Sequence, residues 1–153
     1  MATFAKVNDY ALRLPTVINL DSDQLALAFT NTAPASESSN PTSDGNGVLT
    51  NITQIAYTNW TDDLTVDRQL TLANVSTTQT SGTFTLDYTA DIVITASGGA
   101  IATWRYIYMF DDTVASPVVD PLCNLWDHGS GIALSNGDSA TLQFNASGIE
   151  TLA

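Results

Sequence analysis

The chain has 153 residues, with four Lys or Arg, sixteen Asp or Glu, one His and one Cys, and a formal net charge of −12. A domain of this length can bury a core without disulfides, and one cysteine cannot form an intrachain disulfide. Binding to nucleic acid or an anionic membrane needs many cations, so we expect neither partner. Catalysis draws mainly on His, Cys, Lys, Arg and converging carboxylates. The composition therefore favours a structural or binding protein over an enzyme, and we expect no cofactor.

Residues 1–14 form a segment for which the sequence leaves two interpretations open. Its apolar residues lie at irregular spacing, so neither helix nor strand is favoured, and Pro15 disfavours helix just before it. Two of the four cations lie here. The segment is either an arm that binds a neighbour or the first strand of a single domain that spans residues 15–153. As an arm it would bind a partner through Phe4, Lys6, Tyr10, Leu12, Arg13 and Leu14.

The next segments predict one strand and one long loop. Residues 24–30 are an apolar run of strand length, bounded by turn residues. Residues 33–47 hold two prolines, two glycines and no large apolar side chain, which predicts a loop. Ile52, Ile55 and Ala56 have helical spacing, so a short helix is expected there, with a strand as the alternative.

The remainder of the chain predicts strands. Apolar and polar residues alternate at 64–72 and through 84–95, while 101–110 is aromatic and apolar, and 118–126 is interrupted by Pro121. Asn136-Gly137 predicts a hairpin between 132–134 and 140–144. We therefore expect an all-β fold, a single antiparallel β-sandwich and specifically a jelly roll. The expected core residues are Leu25, Leu27, Phe29, Leu70, Leu72, Phe84, Leu86, Ile92, Ile94, Trp104, Tyr106, Tyr108, Leu125, Trp126, Leu142 and Phe144.

Few residues could carry chemistry. Asp127-His128 is the only carboxylate beside an imidazole, and its candidate nucleophiles, Cys123 and Ser130, lack the pattern of a nucleophile elbow. The pairs Asp21/Asp23, Asp62/Asp63 and Asp111/Asp112 lack the spacing of a calcium loop. We expect no catalytic site and no bound metal.

The tryptophans leave a carbohydrate-binding module open as an alternative. Trp60 or Trp104 could stack on a sugar, although core packing is the better interpretation of aromatic residues on alternating strands. Trp60 lies in a polar segment, so we expect it to be partly exposed or buried at a subunit contact. It is therefore a further candidate for partner binding.

An ordered set of segments resembles small structural proteins of tailed bacteriophages. The chain departs from their pattern at Leu12 to Pro15, where those proteins have a longer amphipathic segment. The resembling segments are LALAFTNTAP (25–34), NITQIA (51–56), WRYIYMFDDT (104–113), LWDHGS (125–130), LSNGD (134–138) and LQF (142–144).

The resemblance implies a capsid cement, or decoration, protein of jelly-roll type. Its partners would be the major capsid protein and copies of itself in a homotrimer. It would lie on the capsid surface of the virion after assembly in the host cytoplasm, in keeping with the absence of a signal-peptide pattern. A tail or baseplate component is the alternative within the same class.

Overall fold

The computed structural model describes residues 2–152 and confirms an all-β fold. One α-helical turn, α1, lies near the start of the chain. Single 3-10 turns lie at Pro34–Ser36, Leu49–Asn51, Val66–Arg68 and Leu72–Asn74. The elements in chain order are β1 (Thr3–Lys6), α1 (Tyr10–Arg13), β2 (Leu25–Thr30), β3 (Trp60–Asp62), β4 (Val75–Thr80), β5 (Thr83–Tyr88), β6 (Ile92–Ala96), β7 (Trp104–Asp111), β8 (Leu122–Ile132), β9 (Ser139–Leu142) and β10 (Glu150–Leu152).

The main sheet has four antiparallel strands in the order β1-β8-β7-β2. The sequences of its strands explain why this sheet lies in the core. β2 and most of β7 are apolar or aromatic, and they are covered on both faces. Leu27 pairs with Met109, and Phe29 pairs with Ile107. The predicted strands at 24–30 and 101–110 are therefore confirmed. The strand predicted at 118–126 is β8, which begins only after Pro121 because proline cannot donate to a ladder.

Two three-stranded antiparallel sheets lie outside the main sheet, in the orders β10-β5-β4 and β3-β6-β9. The alternation predicted through 84–95 corresponds to two strands, β5 and β6. The polar strand β4 was missed, because its sequence VSTTQT has no apolar alternation. A turn joins β4 to β5, and Ser81 and Gly82 both have positive φ there, as in a type I′ hairpin. With three sheets and not two four-stranded ones, the jelly roll stays a prediction.

The strand predicted at 64–72 is wrong. Asp67 and Arg68 have left-handed φ values of 55° and 61°, which interrupts any extended strand. Leu70 is buried, and its amide donates to the Leu25 carbonyl at 2.8 Å, whereas Leu72 is 56% exposed. The alternation of apolar residues therefore comes from a loop that inserts one leucine into the core.

Two local predictions are also corrected. The expected helix near Ile52 is a single 3-10 turn at Leu49–Asn51, after which the chain is extended and the amide of Ile55 donates to the Phe29 carbonyl. Asn136-Gly137 does form a turn, with a φ of 91° at Gly137. Its flanks do not pair with each other, however, because β9 pairs with β6 while Ile132 pairs with Trp104. The loop at 33–47 is confirmed.

The core lies between the main sheet and the two smaller sheets. Most expected core residues are buried, and Leu72 is the clear error. Phe84, Trp126, Leu142 and Phe144 are only partly buried at its margin. No helix among the described residues is long and apolar enough to span a membrane.

Leu70 and Leu72 provide a matched test of this core. Leu70→Ala removes buried methyl groups and leaves a cavity, so we expect a loss of about 2–5 kcal/mol in the free energy of unfolding. Leu72→Ala truncates an exposed side chain and should change it by less than about 0.5 kcal/mol. Urea unfolding followed by fluorescence measures both, and equal losses would contradict the placement of residues 64–72.

Candidate interaction surface

The N-terminal segment contributes an edge strand to the main sheet. β1 pairs antiparallel with β8, from Thr3 opposite Asp127 to Lys6 opposite Asn124. Among residues 2–152 no strand pairs with its other side, and its four residues are exposed. The Phe4 ring is 44% exposed and lies 5.7 Å from the Trp126 ring, centroid to centroid. The segment is therefore seated on its own domain, with an apolar side chain at the sheet edge.

A buried carboxylate ties this segment to the end of the chain. Glu150, 4% exposed, accepts hydrogen bonds on Oε2 from the Tyr10 hydroxyl at 2.8 Å and from Asn124 Nδ2 at 3.0 Å. The Lys6 ammonium lies 2.9 Å from its Oε1. Burial, together with the nearby Glu150 carboxylate, raises the pKa of Tyr10. A buried charge needs such partners, so Glu150 holds β1, α1, β8 and β10 together.

The other predicted binding residues occupy different environments. Tyr10 is in the core, so it offers no surface to a partner, which corrects its assignment as a contact residue. Leu12 is 71% exposed, and Leu14 is partly buried against the core. The Arg13 guanidinium pairs with Asp9 four residues earlier. The structure brings only Phe4 and Lys6 together in one cleft.

Trp60 lies apart from the N-terminal segment. It is partly buried, with its ring 4.8 Å from Phe29 and 5.3 Å from Tyr57, and its Nε1 donates to Asp62. Trp104 is fully buried and also contacts Phe29. A side chain covered in this way cannot stack on a sugar, so Trp104 is corrected as a stacking residue.

A cleft of about 1000 Å³ opens between the main sheet and the C-terminal part of the chain. One wall carries Phe4, Lys6 and Trp126 from β1 and β8, and the other is formed by residues 141–151. The Trp126 ring lies 5.5 Å from the Phe144 ring, so aromatic side chains from both walls meet. The cleft is thus mainly apolar, with the Lys6–Glu150 pair at one side.

Three strands at this cleft are hydrogen-bonded on one side only. β1, β9 and β10 are each the terminal strand of a different sheet, and all three contribute residues to its walls. A terminal strand presents unpaired backbone N–H and C=O groups. The cleft therefore combines apolar side chains with backbone groups that could pair with a further strand.

Each of the four cationic side chains is engaged within the chain. Lys6 pairs with Glu150, Arg13 with Asp9, and Arg105 with Asp127 in a bidentate contact at 2.7 and 2.8 Å. Arg68 donates to the Leu27 carbonyl and lies over the Tyr57 ring. The pKa of Asp127 is lowered by the Arg105 guanidinium. With sixteen acids in the chain, the potential around the molecule is dominated by negative charge.

The residues considered as candidates for catalysis, Cys123, Asp127, His128 and Ser130, lie along one strand. Cys123 is buried and His128 is exposed, five residues along the same strand, which corresponds to about 16 Å. Asp127 pairs with Arg105, and His128 Nδ1 contacts only the Ser130 carbonyl. Among residues 2–152, no group of three or more His, Cys, Asp and Glu side chains is placed to hold a metal.

The Asp111 carboxyl is buried beside that of Asp23. Its Oδ1 accepts from the Thr113 amide at 2.9 Å, while Oδ2 has no donor among the described residues. Burial and the Asp23 carboxyl raise the pKa of Asp111 to about 7. The Cys123 thiol lies nearby, and burial raises its pKa too. A proton shared by the two carboxyls would supply the missing donor.

Sequence reasoning missed Glu150 and Asn124, since a single polar residue in a strand carries no pattern.

Comparison of the chain with models of known families, with curated proteins and with solved structures gave no match.

Two buried tyrosines test the Glu150 network. Tyr10→Phe leaves a buried carboxylate without one donor, so we expect a loss of about 1–3 kcal/mol in the free energy of unfolding. Tyr108→Phe is the control, because the Tyr108 hydroxyl has no hydrogen-bond partner among the described residues. That variant should be neutral or slightly more stable. Chemical denaturation measures both, and equal effects would refute the network.

The Asp111–Asp23 pair predicts stability that falls with rising pH. A folded-state pKa raised above the unfolded value means that folding is favoured by the proton, so this contribution is present below about pH 4 and is lost by about pH 7. The loss is on the order of 4 kcal/mol. Asp111→Asn should flatten the dependence between these values. Asp127→Asn provides the contrast. The pKa of Asp127 is lowered in the folded state, so its contribution to stability is present at pH values above its unfolded-state pKa and is lost as the pH falls. Unchanged pH dependence in Asp111→Asn would exclude the shared proton.

Proposed function

We propose that this chain is a non-enzymatic structural protein of a virion, which decorates and stabilises an icosahedral phage capsid. It would bind the major capsid protein and assemble with its own copies as a homotrimer. The β-sandwich would act as a rigid body, with the surface around β1 as the contact region. A symmetric shell multiplies modest affinity per subunit through avidity.

The location of the resembling segments supports this proposal. The segments 25–34, 104–113 and 125–130 contain most of β2, β7 and β8, which are adjacent strands of the main sheet. Segments that are far apart in the sequence thus belong to one structural unit. A resemblance spread over neighbouring strands is what a shared sheet would produce.

The surface around β1 also supports the proposal, because it has the features of a binding surface. It combines an open strand edge with the exposed Phe4 side chain and the apolar cleft that Phe4 lines. Open edges and exposed apolar patches mark interaction sites. The carbohydrate alternative receives less support, because Trp104 is covered and Trp60 is packed against Phe29 and Tyr57.

Cryo-EM of the virion of the phage whose genome encodes this chain tests the proposal. We expect density for a β-sandwich on the outer capsid surface, arranged as trimers. Purified protein should also sediment with empty capsids and should behave as a trimer in analytical ultracentrifugation. Density at the tail or baseplate would favour the alternative, and absence of the chain from the particle would refute both.

A further inference from the structure

The open cleft between β1 and the C-terminal strands has the features of an acceptor for an added β-strand. We propose that it binds an extended segment of a partner protein, with alternating apolar residues and a net positive charge. This inference rests on the proposed function for the identity of the partner, but its geometric basis is independent. Peptides commonly bind by adding a strand to an exposed sheet edge, with alternate side chains in pockets.

The cleft walls supply both elements of such binding. Its side-chain lining includes Phe4, Trp126 and Phe144, whose rings lie within 6 Å of their neighbours. β9 and β10 end two sheets that share no hydrogen-bonded strand pair. A strand added to either of them would satisfy unpaired backbone groups while its alternate side chains contact the aromatic lining.

The charge of the chain selects the occupant. Each Lys and Arg already has an intramolecular partner, and the net charge is −12. A further copy of the chain carries the same negative charge, which disfavours it as the occupant of this cleft. A basic segment is attracted instead, and its encounter rate should fall as salt is added. The complementary occupant is therefore an extended, basic segment of another protein.

Synthetic peptides provide the probe. The first has about ten residues of alternating Val and Thr, a length that spans strands of this size, with Lys pairs at both ends. The second carries Glu pairs at the ends, and the third has Lys ends with a central Pro that prevents a continuous ladder. Isothermal titration calorimetry with the full chain measures binding. We expect the first peptide to bind at least about tenfold more tightly than either of the others.

Matched variants locate the binding site. Phe4→Ala should weaken binding of the first peptide about tenfold, whereas Leu12→Ala removes an exposed apolar side chain outside the cleft and should leave it unchanged. Thr151→Lys adds a cation at the cleft. Thr78→Lys is its control, because both threonines are exposed and lie opposite Thr85 in the same sheet. Both variants make the net charge of the chain less negative by one, so both should weaken peptide binding slightly. Thr151→Lys should weaken it more than Thr78→Lys, because its added cation lies at the cleft.

Three outcomes overturn the inference. They are equal binding of the Lys-ended and Glu-ended peptides, tolerance of the central Pro, and equal effects of Thr151→Lys and Thr78→Lys. Circular dichroism of each variant verifies folding, and the lysine pair keeps the test valid if Phe4→Ala does not fold.

Sedimentation with capsids separates this inference from the proposed function. Capsid binding that is insensitive to Phe4→Ala and Thr151→Lys refutes the cleft as the binding site but leaves the decoration role intact. Peptide binding without capsid binding refutes that role and leaves the cleft as an acceptor of basic strands.

Discussion

β7 pairs with β2 on one side and with β8 on the other, and these three strands hold more than half of the largest fully buried side chains. β7 alternates large aromatic and apolar residues, and its central position covers its backbone groups on both edges. β2 is the last strand of this sheet, yet its six residues are buried. Later segments cover its outer edge, where the amides of Ile55 and Leu70 donate to the Phe29 and Leu25 carbonyls. The smaller sheets pack against this assembly, and β1 extends it at the margin.

Two buried carboxyl groups, those of Glu150 and Asp111, are accommodated in the interior in different ways. Glu150 has polar partners in the interior, because Tyr10 and Asn124 donate to its carboxylate and the Lys6 ammonium lies beside it. Asp111 has no comparable set of donors, and burial next to Asp23 instead favours its protonated form. The two buried carboxyls thus have different surroundings, because donors lie around Glu150 and a second acid lies beside Asp111.

The interaction surface consists of terminal strands and of a cleft that the three sheets do not fill. In a sandwich with a continuous second layer, that layer would cover the whole inner face of the main sheet. Here the layer opposite the β1–β8 end consists of two separate sheets, and a cleft remains between them and the main sheet. The negative charge disfavours a further copy of the chain as the occupant of this cleft, while its apolar and backbone groups stay available for a partner of opposite charge.

Local patterns in the sequence determined much of the fold. The apolar run at 24–30 and the aromatic segment at 101–110 predicted β2 and β7, because a strand buried on both faces must be apolar along its length. Composition also led us to expect no nucleic-acid partner, since charge is a property of the residues alone, and this stays a prediction. The loop at 33–47 followed from its prolines, glycines and polar residues.

Tertiary structure decided the features that depend on distant residues. Leu70 and Leu72 belong to one alternating pattern, yet the left-handed residues before them bury only the first. Asn136-Gly137 formed the predicted turn, but partners elsewhere in the chain determined that its flanks enter different sheets. The Glu150 network joins residues more than a hundred positions apart, and the cleft is bounded by strands from both ends of the chain. Periodicity reports only which side of a local segment is apolar, whereas pairing and burial depend on which segments meet.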